Sequence, residues 1–128
     1  MYASLPKRQK SFDLDLTGES TDLQYKGTFT VKVGLSMQEQ HTVELERTRM
    51  MADYKNPSPG LMRIAIALSD LTVRIVESPS WWRETGNGYD ILDRNVVEEI
   101  FIKSMDAETE WKKAIKKKAE EAREEVRP

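Results

Sequence analysis

His41 is the only histidine in 128 residues and cysteine is absent, so the side chains that most often carry nucleophilic or zinc chemistry are scarce. A single imidazole without thiolates does not assemble an ordinary zinc site, and no motif joins His41 to the loop serines Ser58, Ser78 and Ser80. It reads as a surface or core-edge residue. Asp90, Asp93, Glu98 and Glu99 are the nearest approach to a carboxylate pair. Their position at the start of a helical pattern points instead to capping and to negative charge at a helix N-terminus. No acidic cluster has the alternating ligands and turn glycine of a calcium loop. Gly86-Asn87-Gly88 does not follow a parallel-sheet strand, so it is a turn and not a phosphate cradle. An enzyme is the class these residues support least. No catalytic residue, cofactor or metal is expected.

Binding chemistry is better represented. Lys7, Arg8 and Lys10 lie beside Pro6 without periodicity, which fits a solvated terminus or an arm that docks on a neighbouring subunit or on phosphates. Lys112, Lys113, Lys116, Lys117 and Lys118 form a basic block, but Asp106, Glu108 and Glu110 precede it and Glu120, Glu121, Glu124 and Glu125 follow. A self-paired helix accounts for that run better than phosphate binding, which needs unpaired positive charge. The formal net charge of -2 and pI near 5.5 also disfavour nucleic acid and anionic membranes. Trp81 and Trp82 are adjacent and must point in different directions, so one is expected in the core and the other half exposed as an interface anchor. Trp111 and Ile115 share one side of the terminal helix, where a partner helix could lie. The candidate partner-binding residues are therefore Lys7, Arg8, Lys10, Phe12, Trp81, Trp82, Trp111 and Ile115.

The elements that would position them follow from periodicity. Phe12, Leu14 and Leu16 alternate with Asp13 and Asp15, a half-buried strand. After turn residues Thr17 to Asp22 comes a second strand, with Tyr25, Gly27, Phe29, Val31 and Val33 on one face and Lys26, Thr28, Thr30 and Lys32 on the other. Ser36 and Glu39 form a capping box for a helix whose face is Met37, His41, Leu45, Thr48, Met51 and Ala52, with Val43, Met50 and Tyr54 off it. Pro57 and Pro59 end it. The most apolar stretch, Pro59 to Trp82, predicts a central helix running to Ser78 before Pro79. Its apolar face is broad, leaving Arg63, Ser69, Asp70, Arg74 and Glu77 for water. Ser80 then caps a short turn carrying the tryptophan pair, and Asp93 caps a helix with inner face Val96, Val97, Ile100, Phe101 and Met105. The pattern fits either a new helix at Asp106 or continuation of the previous one.

The expected fold is α+β, an N-terminal antiparallel β-hairpin packed on three or four helices. Residues 1–11 are an extended basic arm, 12–105 the core domain and 106–128 a projecting charged helix. The first residues lack the apolar core of a signal peptide. Arg63, Asp70 and Arg74 interrupt the best candidate for a membrane span.

YKGTFTVKVGLS, ELERTRMM, VRIVESPSWW and GYDILDRNVVEEIF, in this order, resemble small proteins encoded among the structural genes of tailed bacteriophages. The similarity covers roughly residues 25–120, and VRIVESPSWW followed by the glycine turn and DRNVVEEI is its most specific part. The resemblance implies a non-enzymatic structural or assembly protein of the particle, associated with head, neck or tail. The partners it implies are other phage structural proteins and further copies of the chain, in the virion or in the host cytoplasm during assembly. A second role it implies is that of a tail-assembly chaperone holding the tape-measure protein, although the basic arm and long charged helix have no counterpart there. From another class, a small nucleic-acid-associated protein using its basic arm is the alternative.

Overall fold

The alternating segments pair as β1 (Gln9–Thr17) and β2 (Gln24–Lys32), antiparallel neighbours with Phe12 opposite Phe29 and Leu16 opposite Tyr25. The computed structural model describes residues 7–126. Leu14, Phe29, Val31 and Val33 are buried while Asp13, Asp15, Lys26 and Thr28 are exposed, the inside–outside division that a period of two dictates. Residues 1–6 of the expected arm lie outside the described residues. The remainder is not a free arm, because residues 9–11 are the first part of β1.

Ser36 and Glu39 close both halves of the capping box and open α1 (Met37–Met51). Most of its expected face is exposed to water. Met37 is 83% exposed and Leu45 57%, and His41 and Thr48 are exposed as well. Val43 and Met50, assigned off that face, are half buried, but so is Met51 of the expected face, while Tyr54 is exposed. With apolar side chains on both sides, periodicity alone does not choose a face. α2 (Pro59–Arg74) is capped by the Ser58 hydroxyl, which accepts from the Leu61 N–H, and carries proline in its first turn, where no donor is lost.

The helix expected to reach Ser78 stops at Arg74. Ile75, Val76 and Glu77 instead form β3 (Ile75–Glu77), which pairs with β2 through an irregular register. This β-branched end extends readily, and β2 offers a free edge on that side. Ser69 and Arg74, expected in water, are buried. α3 (Ser80–Glu84) carries the tryptophans, with Pro79 at its N-cap and no side-chain cap, so Ser80 opens the turn without capping it.

α4 (Arg94–Val126) is one helix through Asp106, 33 residues and about 50 Å long; residues 127 and 128 lie outside the described residues. Among the described residues the architecture is α+β, a three-stranded antiparallel sheet in the order β1-β2-β3 with four helices. The core joins Leu14 and Phe29 of the sheet to Ala67, Leu68 and Leu71 of α2, Trp82 of α3, and Val96, Val97 and Ile100 of α4. Burying each of the larger side chains contributes about 1.5–3 kcal/mol. No described helix is long and apolar enough to cross a membrane.

Candidate functional site

Two buried carboxylates attach the hairpin to the helices. Asp93, just before α4, is fully buried, and its carboxylate does not cap that helix as expected. One oxygen accepts from the backbone N–H groups of Ser20 (2.7 Å) and Thr21 (3.0 Å). The other accepts from the hydroxyls of Thr21 (2.6 Å) and Tyr25 (2.8 Å). The Thr21 hydroxyl leads the donors in holding the carboxyl below its ordinary range, against the opposing effect of burial. The Tyr25 phenol is pushed up, first by burial and then by that carboxylate.

Glu108 of α4 holds the other end. Both its oxygens accept from the N–H of Gly34, at 2.8 and 2.9 Å, and one also accepts from Arg74 Nη1 at 2.9 Å. Arg74 is 4% exposed and donates further to the Lys32 carbonyl and in bidentate fashion to Asp70. Burial pulls the guanidinium's pKa down, and Asp70 and Glu108 more than offset it. Gly34 has φ +68°, and the Trp111 ring lies where its Cβ would stand. Only glycine satisfies both conditions.

The expected contact residues divide among these features. Trp82 is 2% exposed and meets Phe29 edge-on at 5.7 Å, so it is a core residue. Trp81 is half buried, with its indole N–H donating to the Lys26 carbonyl at 2.8 Å and its ring edge-on to Tyr25 and Phe29. Phe12, also half buried, stacks on Phe29 at 5.6 Å. Phe12, Trp81 and Trp82 therefore converge on one ring. Trp111 is buried, and its Nε1 has no hydrogen-bond partner among the described residues. Arg8 donates to the Gly34 carbonyl and to Glu39 at 2.9 Å, which brings it to the glycine that Trp111 packs beneath. Lys7 and Lys10 are exposed, and Ile115 is half buried on α4.

The open surface lies elsewhere. Arg63, Ile66 and Ala67 of α2 and Glu98, Phe101 and Ile102 of α4 line a groove of about 360 Å³, beside which Ile102 is 51% exposed. Beyond Trp111, residues 112–124 of α4 are exposed apart from Ile115. A second groove of about 320 Å³, between α1 and α4, has the paired Asp70, Arg74 and Glu108 along it. Sequence reasoning missed the α2–α4 groove. Ile102 and Ile66 were the available signal, being apolar residues beside the inner stripes.

His41 stands exposed on α1. Among the described residues, no group of three or more His, Cys, Asp or Glu side chains is placed to hold a metal ion. No protein-family model, curated protein or solved structure matches this chain.

Proposed function

We propose that this chain is a non-enzymatic assembly protein of a tailed-phage particle that works through protein contacts, in repeated copies or against other structural subunits. The observation that carries the protein-contact part is the free end of α4. Residues 112–124 continue a packed helix into solvent with almost nothing against them. A helix of that length gains most of its stability from packing, and a neighbouring subunit supplies it. The phage setting rests on the sequence resemblance, whose most specific stretch is VRIVESPSWW with the glycine turn and DRNVVEEI.

The α2–α4 groove favours a second role, the tail-assembly chaperone. A shallow apolar channel between two helices, with Arg63 and Glu98 on its lining, suits an amphipathic helix laid along it. Nucleic acid is supported less, because Arg8 is engaged with Glu39 and glutamates flank the lysine block.

The test is the mass in solution, by light scattering, of the full chain and of a version ending after residue 111. A defined oligomer that falls to monomer on truncation supports the structural subunit. A monomer in both cases that binds a tape-measure segment supports the chaperone. A monomer in both cases that binds no phage structural protein overturns the proposal. Deleting residues 1–11 is a poorer probe, since it cuts into β1.

A further inference from the structure

β1 is an outer strand of the sheet. The Val33 N–H donates to the Arg8 carbonyl at 3.0 Å, which makes these two a hydrogen-bonded pair. Such pairs alternate along an antiparallel ladder. By the observed register, Lys10, Phe12, Leu14 and Leu16 then bond to β2. The N–H and C=O groups of Ser11, Asp13, Asp15 and Thr17 consequently point away from the sheet. The Thr17 carbonyl agrees, since it is met from outside by the Asn95 side chain at 3.1 Å. Ser11, Asp13 and Asp15 have no hydrogen bond to these outward backbone groups among the described residues. An uncovered edge of this length is a template for strand addition.

The side chains say what kind of strand fits. Asp13 and Asp15 are exposed on the solvent face of the edge. Asp13 accepts from the Thr28 hydroxyl, and Asp15 has Gln24 beside it and Lys26 at 3.9 Å, a single loose cation for two carboxylates. A second copy pairing β1 against β1 would set these carboxylates opposite each other, which is destabilising. An incoming strand with lysine or arginine at alternate positions would neutralise them. Its intervening apolar residues would fall beside Phe12 and Leu16, both half buried.

We propose that the open edge of β1 is a docking site for an extended segment of another protein carrying basic residues at every second position. It joins the sheet by backbone hydrogen bonds to Ser11, Asp13 and Asp15. This site is independent of the α2–α4 groove and of the free end of α4.

The experiment uses the full chain with two short synthetic peptides, one alternating lysine and valine, the other glutamate and valine. Binding is followed by amide hydrogen exchange resolved to single residues. The lysine peptide is expected to slow exchange at Ser11, Asp13 and Asp15, to bind about tenfold more tightly than the glutamate peptide, and to weaken with salt. The double variant D13K/D15K should reverse the preference. S11P removes an outward-facing N–H and the Ser11–Thr30 hydroxyl bond but no ladder bond to β2, so it should weaken the lysine peptide and leave the far-UV circular dichroism unchanged. Three results would each overturn the proposal. One is equal binding of both peptides, and another is peptide binding without slowed exchange at these three amides. The third is concentration-dependent protection of the three amides in the chain alone, which would put a second copy on the edge.

Discussion

Asp93 and Glu108 are both buried carboxylates, and each holds one end of the same hairpin, yet they are stabilised differently. Asp93 has no ion pair among the described residues. Two backbone N–H groups and a hydroxyl of the turn between β1 and β2, with the Tyr25 hydroxyl at the start of β2, satisfy it. Glu108 shares Arg74 with Asp70 and offers its other capacity to Gly34. The neutral arrangement depends on the shape of a turn, because two of its four donors are backbone N–H groups and a third is the hydroxyl of the same turn residue Thr21. The charged arrangement depends on composition, since removing the guanidinium leaves Asp70 without its counter-ion and Glu108 with only Lys112 at 3.9 Å. The first node should be sensitive to backbone changes and the second to charge.

The largest effect should come from R74A. Removing one member of a buried ion network typically costs about 3–5 kcal/mol, and a urea titration should show it as a lower midpoint. D93N keeps the shape of Asp93 but turns a donor toward donors. Its thermal midpoint should fall by about 5–10 °C, with faster exchange at the Ser20 and Thr21 amides and none of that change near Gly34. If R74A also speeds exchange at Ser20 and Thr21 below the global unfolding limit, the two nodes are one unit and the comparison fails.

G34A tests the glycine on which Arg8, Glu108 and Trp111 converge. Its positive φ and the overlap with the Trp111 ring should cost about 1–3 kcal/mol, read in the same titration. The smallest effect concerns pH. The Ser36 backbone N–H, followed by Lys32, lowers the Glu39 carboxyl from 4.5 to about 2. A depressed carboxyl stabilises the fold above its unfolded value, so this contribution is intact above pH 4.5 and is lost as the pH falls toward 2. E39Q should cost less than about 1 kcal/mol at pH 7 and flatten the acid limb of the stability profile.

Which parts of this were legible in the sequence follows from the range of the interactions. The hairpin faces and the Ser36–Glu39 box are decided by residues within a few positions of one another, and both are present in the structure. The end of α2 was not legible. Ile75 and Val76 extend the helical stripe as well as they start a strand, and only the neighbouring β2 makes the choice. Arg74 looked solvated because the sequence does not show that Glu108 and the Lys32 carbonyl meet it. The role of Asp93 was hidden for the same reason, since its position before a helix already offered a sufficient local explanation. Of the candidate contact residues, the tryptophans were singled out by size, a property the core demands as strongly as an interface does. Trp82 and Trp111 are both buried inside the fold.

The separation between Asp93 and the turn it holds also bears on synthesis. Thr21 precedes its acceptor by 72 residues, and Gly34 precedes Glu108 by 74. At about 5–20 residues per second, a ribosome takes on the order of 4–15 s to supply each carboxylate after the donor it meets has been made. Through that interval the turn's two N–H donors and the greasy face of the sheet wait without their partners. Until then the nascent hairpin is open to capture by chaperones or by other nascent chains on the same message.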